Sequence, residues 1–330
     1  MKFNVLVSSL ILLGILQATV VQAKVWRVNN TTGVAADFKE VSTAIANALV
    51  VNGDTLYVEG TATSYATATL NKKIVIIGSG YLLSGTGANT GLQAMGQSTK
   101  ISILNIDSLG TGSTIMGVST QFYLNSNVDD ITITRCEGYI GRYNTYPNSK
   151  IVNLTINKYI GYIDMVNYTL ENPRITNCIL TNVVVLNTII NGLIRNNVFT
   201  TQVTLANSYI TNNIFLSTTN ITSSTIKYNI AVTNVLPAGN GNQNNVSSTV
   251  LFVGTGSGDG RYMLKAGSPA IGAGEPINGE TPDVGAFGTA DPYRLSGIPP
   301  IPSIYMLTVP GSVPAAATSM DITFSTRSNN

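Results

Sequence analysis

From Ile133 onward the chain repeats one short phrase of apolar and polar positions. An isoleucine is followed by a polar residue, a variable third position, an Asn or Cys, and then an apolar pair. The copies begin at Ile175 (ITNCIL), Ile194 (IRNNVF), Ile210 (ITNNIF) and Ile226 (IKYNIA). Upstream, Ile133-Thr-Arg-Cys136 fits the same frame, and Ile151-Val-Asn-Leu154 is its looser member. The starting positions 133, 151, 175, 194, 210 and 226 are spaced 18, 24, 19, 16 and 16 residues apart. A motif recurring in fixed phase at this spacing marks a solenoid. The units are short, β-branched and Asn-rich, which predicts strands broken by turns rather than helical repeats.

The pattern therefore predicts an all-β chain, a right-handed parallel β-helix with one coil per copy. The first Ile of each copy points into a shared core and the next residue faces solvent, by the period of two along a strand. The fourth residue marks the bend, because Asn tolerates left-handed backbone geometry. Stacked from coil to coil, Asn197, Asn213 and Asn229 form an internal amide ladder, since a core amide left unpaired is costly. Cys136 and Cys178 occupy the same column two coils apart, with Leu154 between them. At about 4.8 Å per coil their Cα atoms lie roughly 9–10 Å apart, beyond disulfide reach. Both are expected as buried thiols.

Ahead of the repeat, Ala36–Gly60 reads as an N-terminal capping helix leading into the first coil, TLYV. Asp37 and Glu40 make a capping-box pattern, and Phe38, Val41, Ile45 and Ala48 share one helical face. KKIVIIGSG (72–80) supplies the second coil. The first 23 residues read as a signal peptide: Lys2, an apolar stretch over Val5–Leu16, and VQA before a cleavage point at Lys24. The mature chain is then expected to be exported to the periplasm, the cell surface or the medium, and not to span a membrane. Residues 24–296 form the solenoid domain, and 297–330 a Pro-rich linker with a short strand pair, SIYMLTV and MDITFST. That pair is too small for an independent domain, so it docks along the last coils or begins a β-sandwich module.

The cap pattern followed by GDTLYV and KKIVIIGSG resembles the entry to pectate-lyase-like right-handed parallel β-helix proteins. YMLKAGSPAIGAG (262–274) followed by DVGAFG (283–288) resembles the closing segment of exported bacterial surface β-helix proteins. The resemblance spans about residues 24–296 and implies fold and export far more than activity, because such scaffolds host enzymes and non-enzymes alike.

Composition narrows the chemistry. Charged residues are only 10% of the 330, net charge is +2 and no basic run occurs, which argues against a nucleic-acid surface. There is no histidine, so triad catalysis, His-ligated zinc and imidazole acid–base chemistry are absent. Asp129-Asp130 is similar to the paired aspartates of polygalacturonase-like enzymes, but no Gly-His-Gly follows. A lyase of this fold needs Ca²⁺-binding carboxylates with an Arg or Lys as base; Asp129, Asp130, Glu137 and Asp164 with Arg135 or Arg142 are the candidates. They do not show the close spacing of a single calcium loop. Apart from calcium in that case, no cofactor is expected. Thr134, Thr176 and Thr211 do not form the regular rows of an ice-binding face.

Aromatic residues concentrate where the repeat loosens: Tyr139, Tyr143, Tyr146, Tyr159, Tyr162 and Tyr168. Tyr beside Arg and Asp on protruding loops suits sugar rings, so Tyr139, Tyr143, Tyr146, Tyr159 and Tyr162 are candidate ligand-binding residues. The sequence thus favours a non-catalytic, monomeric surface protein with a structural, adhesive or polysaccharide-binding role. The alternative is a polysaccharide lyase or glycoside hydrolase acting on acidic glycans from the same region.

Overall fold

The computed structural model describes residues 23–125, 127–142, 149–182, 184–186 and 188–328. The expected signal peptide and its expected cleavage point before Lys24 lie outside the described residues but for Ala23, as do Tyr143 and Tyr146. Parallel strands coil into a β-solenoid of about nine turns. Each turn of the regular region contributes a strand to a ten-stranded first sheet, bends into a nine-stranded second sheet, then returns through a third face built from two three-stranded pieces.

Register in the first sheet stacks Trp26, Leu56, Ile76, Ile115, Ile133, Ile156, Ile175, Ile194, Ile210 and Ile226 in one inward column. The strands depart from the sequence pattern at two places. The first strand is Val25–Val28, ahead of TLYV. The coil between Ile133 and Ile175 begins at Ile156, whereas Ile151 sits in the third face, on Ser149–Val152. A phase of Ile-x-x-apolar cannot distinguish two buried strands of one coil, and Ile151 and Ile156 are both fully buried. The residue between Cys136 and Cys178 in the column is therefore Tyr159, not Leu154.

The bend falls on the third residue of each copy, not the fourth. Arg135, Lys158, Asn177, Asn196, Asn212 and Tyr228 all have φ between 51° and 58°. A second left-handed column, Asp130, Asn153, Asn172, Asn191, Asn207 and Ser223, lies three residues ahead of the inward Ile in each of these six coils. Asn dominates both because its short polar side chain lowers the cost of this conformation. At the surface, Asn153 donates to Asp130 (2.8 Å) and Asn172 to Asn153 (3.2 Å), an outer counterpart of the core ladder.

Inside, the fourth residues stack. Asn197 Nδ2 donates to Asn213 Oδ1 (2.9 Å), Asn213 Nδ2 to Asn229 Oδ1 (3.0 Å), and Asn229 Nδ2 to Asn242 Oδ1 (3.3 Å). Each Oδ1 also accepts the backbone N–H of the residue one coil earlier. Each side chain thus satisfies groups that no sheet bond reaches, which is why the amides are tolerated at zero exposure. Phe199 and Phe215 stack beside them at 5.0 Å and 8°.

Cys136 and Cys178 are free and fully buried, and burial pushes both thiols up to about 12. Neither should react with a thiol reagent at neutral pH in the native protein, and both should react once unfolded. Mass spectrometry after native labelling checks this; one labelled native cysteine contradicts it.

A six-residue helix, Val41–Ala46, packs Val41, Ala44 and Ile45 into the solenoid core. It ends before Ala48, which is exposed, and the capping box is not formed. Asp37 instead accepts from the Arg27 N–H and Glu40 from the Ala66 N–H, so the carboxylates tie the helix approach to neighbouring strands.

Candidate functional site

Beyond the last coil the chain turns back and runs along the outside of the solenoid. Its apolar residues Leu251, Phe252, Ala270, Val284, Ala286 and Tyr293 cover the outward column Ile160, Ile179, Val198, Ile214 and Ile230 of the second sheet. The bend column reads this strap coil by coil. Asn212 accepts from the N–H of Glu275 through its side chain (2.7 Å) and of Gly285 through its carbonyl (2.8 Å). Asn196 donates to the Asp283 and Gly285 carbonyls, and Asn177 to those of Ala286 and Gly288. Lys158 pairs with Asp291, and Arg135 donates to the Ile298 carbonyl. Burial lowers the pKa of both Arg135 and Lys158, and the strap supplies the acceptors that make such burial tolerable.

The strap ends in a buried knot. Asp259, fully buried, accepts from Asn89 Nδ2 (2.7 Å), Ser257 Oγ (3.0 Å), Tyr293 Oη (3.2 Å) and the Ser296 N–H (2.7 Å). Tyr293 and Tyr81 share a hydroxyl hydrogen bond of 2.6 Å, and burial holds both phenols well above their ordinary pKa.

Between strap and first sheet lies a groove of about 690 Å³, with Arg174, Thr176 and Arg195 on one wall and Glu280, Asp283 and Asp291 on the other. Through Arg174 and Leu193 it meets a hollow of about 1070 Å³ that reaches Asn191, Asn207 and Tyr209. The Tyr209 hydroxyl donates to the Glu275 carboxylate, which also accepts from Thr211. Burial, then that bond, pushes Tyr209 up to about 12. Thr211, expected in solvent, is fully buried because the strap lies over it.

The acidic candidates are spread over the coil. Asp129 accepts from the Val152 N–H (2.8 Å) and Asp130 from Asn153, both at the turn before the first sheet. Arg135 lies at the next bend, against the strap. Glu137 begins the second-sheet strand Glu137–Arg142, its pKa raised by burial and moderated by a hydrogen bond with Ser119. Asp164, beyond the end of Ile160–Ile163, accepts from the Val166 N–H. Arg142 closes the Glu137–Arg142 strand; its side chain is outside the described residues. Among the described residues no three acidic or thiol groups are close enough to hold a metal ion.

Of the tyrosines, Tyr159 is fully buried in the inner column and offers a ligand nothing. Tyr168 is also buried, its hydroxyl donating to the Leu124 carbonyl. Tyr139 and Tyr162, one coil apart and directly paired in register, are half-buried on the outer face of the second sheet. Their ring centroids are 4.6 Å apart, and Tyr123 adds a third ring 5.5 Å from Tyr139. Gly141 makes room for this row: a Cβ there would lie 2.0 Å from the Tyr139 hydroxyl. Tyr139 and Tyr162 are the two sequence candidates that lie side by side on this face. Tyr123 carries no local signal, because it arrives from the preceding coil, and neither do the strap contacts, whose partners lie 63 to 163 residues apart. The chain matches no known family model, and neither a curated protein nor a solved structure matches it.

Proposed function

We propose that the protein is an exported, non-catalytic β-helix protein of the pectate-lyase-like type that binds a polysaccharide on the outer face of its second sheet. The observation that carries this reading is the row Tyr123, Tyr139 and Tyr162 on successive coils. Aromatic rings repeated along a rigid axis suit a polymer, which presents successive apolar sugar faces at a regular interval. The scattered carboxylates favour binding over hydrolysis or elimination, because acid–base work needs two groups converging on one bond. The apolar leader supports export, and no helix among the described residues is long and apolar enough to cross a membrane.

The test is a glycan array paired with a release assay on acidic polysaccharides. Binding without product is expected. Replacing Tyr139 and Tyr162 by Ala should weaken it about fivefold or more, at about 0.5–1.5 kcal/mol per aromatic contact. Product formation abolished by chelation overturns the reading.

A further inference from the structure

After the strap, Ser303–Thr308 and Thr323–Arg327 pair as an antiparallel two-stranded sheet. This tail leans on an early part of the chain rather than on the last coils: Ala94 N–H donates to the Ile304 carbonyl and Arg327 to the Leu92 carbonyl. A two-stranded sheet is marginal by itself, and this one is apolar on the outside. Met306, Leu307, Ile322 and Phe324 are 49%, 50%, 49% and 59% exposed. The loop at Leu92–Ala94 touches Ile304 in the first strand and the Arg327 side chain at the end of the second, and among the described residues no strand pairs with the outer edge of Thr323–Arg327. That edge carries neither Lys nor Pro between Met320 and Ser328, the usual guards against strand addition.

The segment Asp321-Ile-Thr-Phe-Ser-Thr-Arg327 is complementary to itself. Laid antiparallel on a second copy with Phe324 at the two-fold axis, it sets Asp321 opposite Arg327 twice. Ile322 then faces Thr326, Thr323 faces Ser325, and Phe324 faces its own copy. Leu307 is already the cross-strand neighbour of Phe324. The pairing therefore makes a continuous apolar row, Leu307 and Phe324 of one copy against Phe324 and Leu307 of the other, across four strands. We infer that the Thr323–Arg327 edge is a homodimer interface, joining two solenoids through a shared four-stranded sheet. The symmetry is isologous, so the assembly closes at two.

Sedimentation velocity of the full chain across micromolar concentrations tests this. The wild type is expected to form dimers. Asp321→Arg places Arg opposite Arg at both ends and should raise the dissociation constant about tenfold or more. Phe324→Cys, at an exposed position that leaves the solenoid intact, should form an inter-chain disulfide across the axis. A monomer at every concentration, or a dimer that Asp321→Arg leaves unchanged, overturns the inference.

Discussion

Replacing Asn197 with Ala is expected to destabilise the native protein by about 4 kcal/mol, read from chemical denaturation. The amide sits at zero exposure, donates to the Ile175 carbonyl (2.9 Å) and to Asn213 Oδ1, and accepts the Cys178 N–H (2.9 Å). Its loss strands one backbone donor and one backbone acceptor in a dry interior, at about 1–3 kcal/mol each, and leaves a void besides. Against a typical total of about 5–15 kcal/mol that is a large fraction. By the same logic Cys178→Asn, which offers an amide one coil further along, should cost far less than Asn197→Ala. A loss below about 1 kcal/mol for Asn197→Ala contradicts the ladder's role.

Asp259→Ala is expected to cost about 3 kcal/mol, and to act locally. The carboxylate ties its own loop to two distant segments, one through Asn89 and the other through Tyr293 and the Ser296 N–H. Hydrogen bonds to a charged acceptor contribute about 1.5–3 kcal/mol each, offset here by the relief of no longer burying the charge. Hydrogen exchange should quicken at Tyr293 and Ser296 while the first-sheet amides keep their protection. Asp259→Asn retains the size and part of the accepting capacity, so it should fall between wild type and Ala. Uniform loss of protection in Asp259→Ala contradicts a local clasp.

The coil period was readable because Ile and Asn recur in phase, and strand geometry converts that phase into a column. The limits of the reading are physical. Ile151 and Ile156 are both buried, so hydrophobicity alone could not choose the first-sheet strand. The bend was misplaced by one residue because Asn suits both positions, a left-handed bend at Asn196 and an inward amide at Asn197. Arg135, Lys158 and Tyr228 hold the same bend without being Asn, so residue identity gave no signal there. GSPAIGAG and DVGAFG are conspicuous as local patterns. Their run back along the bend column is not, because local pattern carries no information on contacts so far apart in sequence. Density of Tyr alone does not separate Tyr139 and Tyr162, which share the outer face, from Tyr159, whose phase places it in the core.

From the Ile133 coil to the Ile210 coil labour is divided within each copy: the third residue docks the strap and the fourth builds the core. Hydrogen–deuterium exchange on Asn196→Ala beside Asn197→Ala tests it most directly. Asn196→Ala removes donors to the Asp283 and Gly285 carbonyls and should free the amides around Val284–Gly288, leaving the first sheet protected. Asn197→Ala should instead lower protection through Ile175–Leu180 and Ile194–Phe199. Indistinguishable exchange patterns in the two variants would contradict the account.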